Sequence, residues 1–567
     1  MTTQTTHPPE RQGEGPVPAP GGPAPVAIEH ENPLLELLKI AAPSVATMSS
    51  YTVMQMTDKL MVSRIGPEPV YVSAQSNAGI LCWTLMTLCV GLTGVVSSFV
   101  SQNLGAGKPE RGSAYAWNSV WIALSYWMAV MLPAILLVPL IFGWLHKKTP
   151  ELVGLEVTYA QIAMAGAVFT LMSKGMHNYF FGLHRPWVVM GAVVSANAVN
   201  IFFSMVFVFA TQGFPIGDAP SAFWGVFWPL FQGVADAAAW TAGVLGIDEP
   251  MGIAGAAFGT LLANTIEFFV PMAVFLGPKM ARKYATRQAW RPDLTCIKDL
   301  VRVGWPAGMM FINEMICWSM LMVWLIPMGG RARAAALGLD EAAVNAAAIN
   351  ANTTGWITLQ WMHLGFMPTV GISIATQAMV GKAIGAGRPD IAAARTWLCA
   401  KVAVGYMGLC ALAFVVFRHD LTAFFINGQT DQSTRDELLY LGGWMLIGAA
   451  VFQMFDALAI ITSAALRGAG DTVWPGVLTV VSSWTLIIGL GLALVELAPK
   501  LGAMGPWIGA SLYISFLGVA LLARFMGGKW KSLSLVRKGD PTHPEPVPEA
   551  SSIANPGPGP DPTSGMA

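Results

Sequence analysis

The hexapeptide Gly105-Ala106-Gly107-Lys108-Pro109-Glu110 returns later in the chain as Gly385-Ala386-Gly387-Arg388-Pro389-Asp390. Residue 105 falls on residue 385, and the same offset of 280 carries Val90-Gly91 onto Val370-Gly371, Val100 onto Val380, Ala114 onto Ala394 and Trp117 onto Trp397. A period that long is not that of a solenoid or a propeller. It marks a duplicated half, and each copy joins two long apolar segments through a short, basic, Gly/Pro-rich turn. Further pairs repeat: Leu38-Lys39-Ile40-Ala41-Ala42-Pro43 resembles Val301-Arg302-Val303-Gly304-Trp305-Pro306, and Gly252, Gly255 and Gly259 match Gly502, Gly505 and Gly509. Duplicated helical halves are how many membrane transporters are built. Small residues at this spacing let helix backbones approach closely, so packing is the reading of these glycines.

Only 11% of the 567 residues are charged and 54% are hydrophobic, whereas a soluble domain carries about 25% charged residues. Stretches of about 20 apolar residues recur, enough to cross a bilayer as helices. Strand-barrel spans would instead alternate over about 10 residues. The expected fold is therefore all-α and polytopic, with twelve membrane helices in two pseudo-symmetric six-helix bundles. The first half covers residues 33–277 and the second 299–527, joined by a basic linker at 278–298. The polar, Pro/Gly-rich tails at 1–32 and 528–567 are expected to be disordered, and the first is no signal peptide. Net charge is zero, which gives no reason to expect a nucleic-acid partner. The six cysteines form no CxxC pair, so neither a zinc site nor a disulfide framework is indicated. No HExxH, Walker loop or GxSxG is present, which argues against an enzyme or an ATP-driven pump.

Lys and Arg set the orientation. The two GAG turns, the linker and the C-terminal flank carry Lys108, Arg111, Lys279, Arg282, Lys283, Arg388, Arg395, Lys529 and Lys531. With twelve spans these fall on one side, the cytoplasm, and both termini lie inside a multi-pass inner (plasma) membrane protein. Lys147-Lys148 and Arg331/Arg333 run against the rule. The long insertion at 211–250 has Asp218, Asp236, Asp248 and Glu249 but no Lys or Arg, as an external loop should. Its Trp224, Phe227, Trp228, Phe231 and Trp240 suggest a short helix or re-entrant piece at the outer interface.

Ionisable groups inside the bilayer cost a few kcal/mol and so face the protein interior. Asp58 lies in the first span, Glu314 in the seventh, Glu267 in the sixth and Asp456 in the tenth. Lys59, Lys174 and Lys401 are possible counter-ions, an Asp58–Lys174 pair being the structural alternative. A buried carboxylate can ligate a sodium ion with the help of neutral oxygens, or bind a proton at a raised pKa. Asn200 and Ser204 are four apart and share a helix face; with Thr260 they could complete an oxygen site near Asp58. Glu267, Trp361 and His363 are candidates for lining a substrate cleft.

The segments Thr57-Asp58-Lys59-Leu60-Met61-Val62-Ser63-Arg64-Ile65-Gly66 and Ala465-Leu466-Arg467-Gly468-Ala469-Gly470-Asp471-Thr472, with the two GAG turns, resemble the multidrug and toxic compound extrusion (MATE) family over about 33–527. The resemblance implies two six-helix bundles around a V-shaped cleft. It also implies efflux of cationic or amphipathic small molecules against a sodium or proton gradient, by a monomer without a cofactor. Asp58, Glu314 and Asp456 then carry the coupling cation, with Asn200 and Thr260 as polar ligands. Ser204 departs from an Asp found in a neighbouring branch, which makes an N-lobe site weaker or proton-specific. Two other functions compete. A lipid-linked oligosaccharide flippase would want Arg and Lys in the cleft, where the spans show carboxylates. An intramembrane enzyme would need a nucleophile–base or metal set, which is not found.

Overall fold

The computed structural model describes residues 32–66, 70–147, 149–215, 228–426 and 432–536, and among these residues the chain is helical throughout, without strands. Twelve long helices form the frame. The first half holds α1 (Pro33–Val62), α2 (Val70–Gly94 and Val96–Gly105), α3 (Glu110–Leu145), α4 (Pro150–Gly182), α5 (Pro186–Phe209) and α6 (Gly252–Leu276). The second holds α7 (Leu294–Ala336), α8 (Glu341–Gly385), α9 (Pro389–Val416), α10 (Gln432–Ala469), α11 (Val473–Leu497) and α12 (Met504–Met526).

The helices start where local chemistry tells them to. Proline opens α1, α4, α5 and α9, where its missing N–H has no helical partner to lose. Asp293 and Asp340 cap α7 and α8 by accepting the backbone N–H of Thr295 and Ala343. Each GAG turn leaves its helix through a left-handed glycine, Gly107 (φ 73°) and Gly387 (φ 72°), so the repeat in sequence is a repeat in backbone. Wider π turns interrupt α3 (Trp127–Met131), α7 (Leu321–Leu325) and α11 (Ser483–Leu490).

Eleven of the twelve helices are apolar enough to read as spans by composition. The exception is α1, which at 30 residues is long enough but carries Ser44, Thr47, Ser49, Ser50, Thr52, Gln55, Thr57, Asp58 and Lys59. It can be polar because it packs between α5 and α8, away from lipid on those sides.

The halves interlock by exchanging their first helices. α1 leans on α8, and its symmetry mate α7 leans on α2. Accordingly the core splits in three. One cluster fills the first lobe and includes Phe99, Tyr179 and Phe275; a second fills the other lobe around Trp507, Phe452 and Tyr513. A third is shared, with Leu37, Ile40 and Ala41 of α1 packed on Ile372, Met379, Met407 and Ile461.

Glycine makes this exchange close. Gly371 meets the backbone of Val45, Gly91 that of Gly308, and Gly304 that of Leu92. At the basic end Gly105 lies on the Lys382 carbonyl and Gly385 on the Gln102 carbonyl, a reciprocal pair, while Gly381 lies on Ser101. All these approaches fall in the halves of the helices nearer the GAG turns. Ser98 donates to the Arg467 carbonyl (2.7 Å) and Gln102 to that of Gly468 (2.9 Å), stitching the same end. There too Glu36 of α1 crosses the lobes to Arg395 (2.9 Å) and Lys382 (3.8 Å), all three nearly buried. The basic end is thus sealed. The matched glycines of α6 and α12 are packing residues, with Gly255 on Phe207 and Gly509 on Leu486, and both series start at a left-handed glycine, Gly252 and Gly502.

Two expectations change. The C-terminal tail does not begin at 528: a 3-10 turn at Lys529–Ser532 buries Trp530, which stacks on Phe525 (4.9 Å) and donates to its carbonyl. Leu535 then donates its N–H to Gln102 (2.7 Å) and packs against Gly470, bridging the lobes. Aromatic stacking and an inter-lobe hydrogen bond outweigh the chain entropy that composition alone suggested. The linker is also shorter than 278–298, because a helical turn at Pro278–Tyr284 opens it and α7 already starts at Leu294. Residues 1–31 and 537–567 lie outside the described residues. In the insertion an 18-residue helix, Trp228–Leu245, packs on α5 through Ala235, Ala238 and Ala242 and exposes Phe231 and Trp240; Trp224 and Phe227 lie outside the described residues.

Candidate functional site

Asp58, Glu267, Glu314 and Asp456 fall into three acidic centres inside the lobes, and each of the three centres contains a tyrosine. The first is on α1, α5 and α6. Asp58 faces Asn200, whose amide also donates to Thr260 (3.3 Å). The Tyr159 ring from α4 reaches the same place, its hydroxyl turned toward Gln75 and Thr260 and its charge neighbour Asp58. Ser204 lies one turn beyond Asn200, buried against Gly259, where a larger residue would fill the space its hydroxyl uses. Asp58 Oδ1, Asn200 Oδ1, Ser204 Oγ and Gln75 Oε1 are buried with no protein hydrogen-bond partner among the described residues. Buried polar atoms are almost always satisfied, and three of these oxygens, on Asp58, Asn200 and Gln75, gather beside Tyr159 and Thr260.

The second centre is on α7, α10 and α12. Glu314 accepts from the Tyr513 hydroxyl (3.2 Å), and Asp456 is close enough for the two negative charges to interact. Arg467, three turns along α10 from Asp456, is close enough for its charge to act on Glu314; its guanidinium is also tied to Ser463 (2.8 Å). Beside Glu314, Asn313 donates to Ser483 (2.8 Å) and accepts from the Trp484 indole (2.9 Å) at the start of the α11 π turn. The unwinding of α11 therefore abuts the acidic pair, in keeping with the habit of π turns at functional sites.

The third centre answers the Lys174 question. Lys174 does not pair with Asp58. It pairs with Glu267 (2.9 Å), donates to Tyr51 (2.7 Å), and shares the carboxylate with Ser173 (3.4 Å) and with His177 (3.7 Å). Tyr51 also hydrogen-bonds Glu267. Glu267 is only 4% exposed and so lies inside the bundle rather than on a cleft wall. Tyr51 is two turns before Asp58 on α1 and Glu267 two turns after Thr260 on α6, which puts this network on the basic side of the first centre.

The aromatic candidates divide. Trp361 is committed to packing: its indole donates to the Leu421 carbonyl (2.9 Å) and its ring meets Phe424 and Phe425 edge-on. His363 stacks on Phe366 and sits in the field of Lys59, across the lobe boundary. Tyr159, Tyr513, Gln75 and Asn313 were missed in the sequence. A usable signal existed, since only 10 tyrosines occur in the chain and a tyrosine buried in a span needs a partner for its hydroxyl.

Among the described residues no group of three or more His, Cys, Asp or Glu could hold a metal ion. A cation at the first centre would thus be held by one carboxylate and neutral oxygens, a set suited to a hard, singly charged ion or a proton and unsuited to a transition metal.

The MatE family model matches residues 43–206 and 306–492, more than half of the chain and one stretch in each lobe. The probable multidrug resistance protein NorM of Mesorhizobium japonicum is 25% identical over 501 residues, covering 86% of this chain and 92% of that protein. Among solved structures, a MOP superfamily transporter from Pyrococcus furiosus superposes with a TM-score of 0.71 at 20% identity, covering 88% of this chain and 97% of the other. The outward-facing conformation of a multidrug resistance transporter superposes with a TM-score of 0.69 at 20% identity, covering 89% and 98%.

Proposed function

The chain belongs to the MATE family of membrane transporters, and from that membership we propose that it exports cationic or amphipathic small molecules by antiport with sodium or protons. The observation that carries the reading is the pair of buried acidic centres, Asp58 in one lobe and Glu314 with Asp456 in the other, in a molecule whose lobes meet backbone to backbone at the basic end. A charged group held inside a membrane protein marks an ion or substrate path. Carboxylates attract cations, which favours organic cations over the pyrophosphate of a flippase substrate. The names of the NorM relatives point to drugs as substrates.

In this reading the basic end faces the cytoplasm and is the closed side of the transport path. Cation entry neutralises Asp58 or the Glu314/Asp456 pair, weakens their hold on a cationic substrate and releases it outward. Separation of Gly105 from Lys382 and Gly385 from Gln102 then opens the other side. Linkage requires substrate and coupling ion to weaken each other's binding reciprocally. One chain supplies both lobes, so a monomer suffices.

Efflux of a fluorescent organic cation from vesicles, under a sodium or a proton gradient imposed separately, tests this. Sodium- or proton-driven efflux abolished in Asp58→Asn, or in Glu314→Gln and Asp456→Asn, supports it and identifies the lobe. Wild-type efflux in the triple variant refutes it.

A further inference from the structure

The start of α11 is flanked by two unexplained hollows. On one side, an open pocket of about 370 Å³ lies between α11 and α12, lined by Trp474, Ala520, Ala523, Arg524, Gly527 and Lys529. On the other, a groove of about 240 Å³ between α11 and α7 is lined by Trp305, Pro306, Met309 and the Val473, Val477 and Val481 stripe. The pocket is cationic and the groove wholly apolar. Both lie on the outer surface of the second lobe, away from the acidic centres.

Arg524 gives the pocket its character. Its Nε donates to Asp471 (2.9 Å), which is 7% exposed, and its guanidinium lies over the Trp474 ring at 5.3 Å. Both contacts hold the fork in place, and no other partner of it occurs among the described residues. Among the described residues one carboxylate, Asp471, answers Arg524 and Lys529, so the pocket keeps a net positive charge. The small residues Ala520, Ala523 and Gly527 leave room beside the two cations. The stripe Val473, Val477 and Val481 is 52%, 57% and 59% exposed, as a lipid-facing row at i, i+4 and i+8 should be. Arg524 lies in the last turn of α12 and Trp474 in the first turn of α11, the level at which headgroups lie.

We infer that this is a binding site for an anionic glycerophospholipid of the leaflet on the basic side. Its phosphodiester sits between Arg524 and Lys529, and an acyl chain lies in the valine-lined groove. A basic pocket between membrane helices takes headgroups of this kind. A zwitterionic lipid brings its own ammonium to the two cations and loses that advantage. The inference does not depend on what is transported.

The test is native mass spectrometry of the delipidated full chain titrated with phosphatidylglycerol, phosphatidylcholine, glycerophosphoglycerol or inorganic phosphate. Expected is retention of phosphatidylglycerol that phosphatidylcholine does not displace, with apparent affinity about fivefold lower in Lys529→Ala. Arg524→Lys, which keeps the charge but loses the fork, should weaken retention as well. Lys529 is exposed, so its variant folds and decides the matter should Arg524→Lys prove unstable. Val477→Asp should lower lipid retention while leaving glycerophosphoglycerol unaffected. Equal retention of both lipids, unchanged affinity in Lys529→Ala, or competition by inorganic phosphate at the same concentration as the lipid would each overturn the assignment.

Discussion

Replacing Gly385 by Ala tests the closure of the basic end. A Cβ there would sit 2.6 Å from the Gln102 carbonyl carbon and 2.7 Å from its Cα, besides striking the carbonyl oxygen. Carbon atoms pack at about 3.5–4.0 Å, so the lobes must retreat by roughly 1 Å at this point. Both sides are helical backbone, so no flexible side chain can absorb the shift. Overpacking of this kind costs about 1–3 kcal/mol, and the cost falls only on the state in which the two helices touch. Since every 1.4 kcal/mol is about a factor of ten, the ratio of sealed to unsealed conformers should drop by about 5- to 150-fold. Gly105→Ala, which meets the Lys382 carbonyl, should do the same by symmetry. Spin labels at Glu110→Cys and Asp390→Cys, one beyond each GAG turn, would report the separation by double electron–electron resonance. The control is Gly408→Ala, whose Cβ meets nothing within 4 Å. A distance distribution unchanged in both interface variants would refute the account of the repeated glycines as the contact surfaces of a two-state gate.

Glu36→Gln removes the carboxylate that Arg395 and Lys382 share across the lobes; a loss of about 3–5 kcal/mol in the sealed state is expected, read as a lower melting temperature and a longer inter-label distance. Glu267→Gln should likewise destabilise the first lobe by stranding Lys174, whereas Glu267→Leu with Lys174→Met should recover most of the loss, because a buried pair is often replaceable by apolar residues; thermal denaturation of the three variants compares them. Trp530→Ala removes the stack on Phe525 and should cost about 3–5 kcal/mol locally. Its readout is faster limited proteolysis between α12 and Leu535, and no acceleration would mean that the strap is not held by Trp530.

The acidic residues show where sequence reading stops. Asp58, Glu267, Glu314 and Asp456 stand out in apolar spans because charge is costly there, whatever the packing. Their partners do not stand out. Lys174 could as well have met Asp58; the difference is the rotation of α4, which brings Ser173, Lys174 and His177 onto Glu267 of α6. Trp361 looked like a cavity residue from its neighbours in sequence, but Leu421, Phe424 and Phe425 come from a turn 60 residues away. Trp530 sits in a segment of tail-like composition, and only the nearby end of α12 and the Gln102 side chain give it a fixed place.

Duplication, helical class and the number of long helices follow from the sequence alone, since hydrophobic length and an offset repeat are properties of the chain read one residue at a time. The exchange of α1 and α7 between lobes, the sealing of one end and the sorting of Asp58, Glu267, Glu314 and Asp456 into three centres that each contain a tyrosine belong to the tertiary structure. Each depends on how a helix is rotated about its axis and which neighbour it meets, and apolar spans with almost uniform composition carry little record of either. Glycine is the partial exception. A repeated glycine marks where two backbones can touch, but only the packed lobes show that Gly105 and Gly385 touch each other's halves.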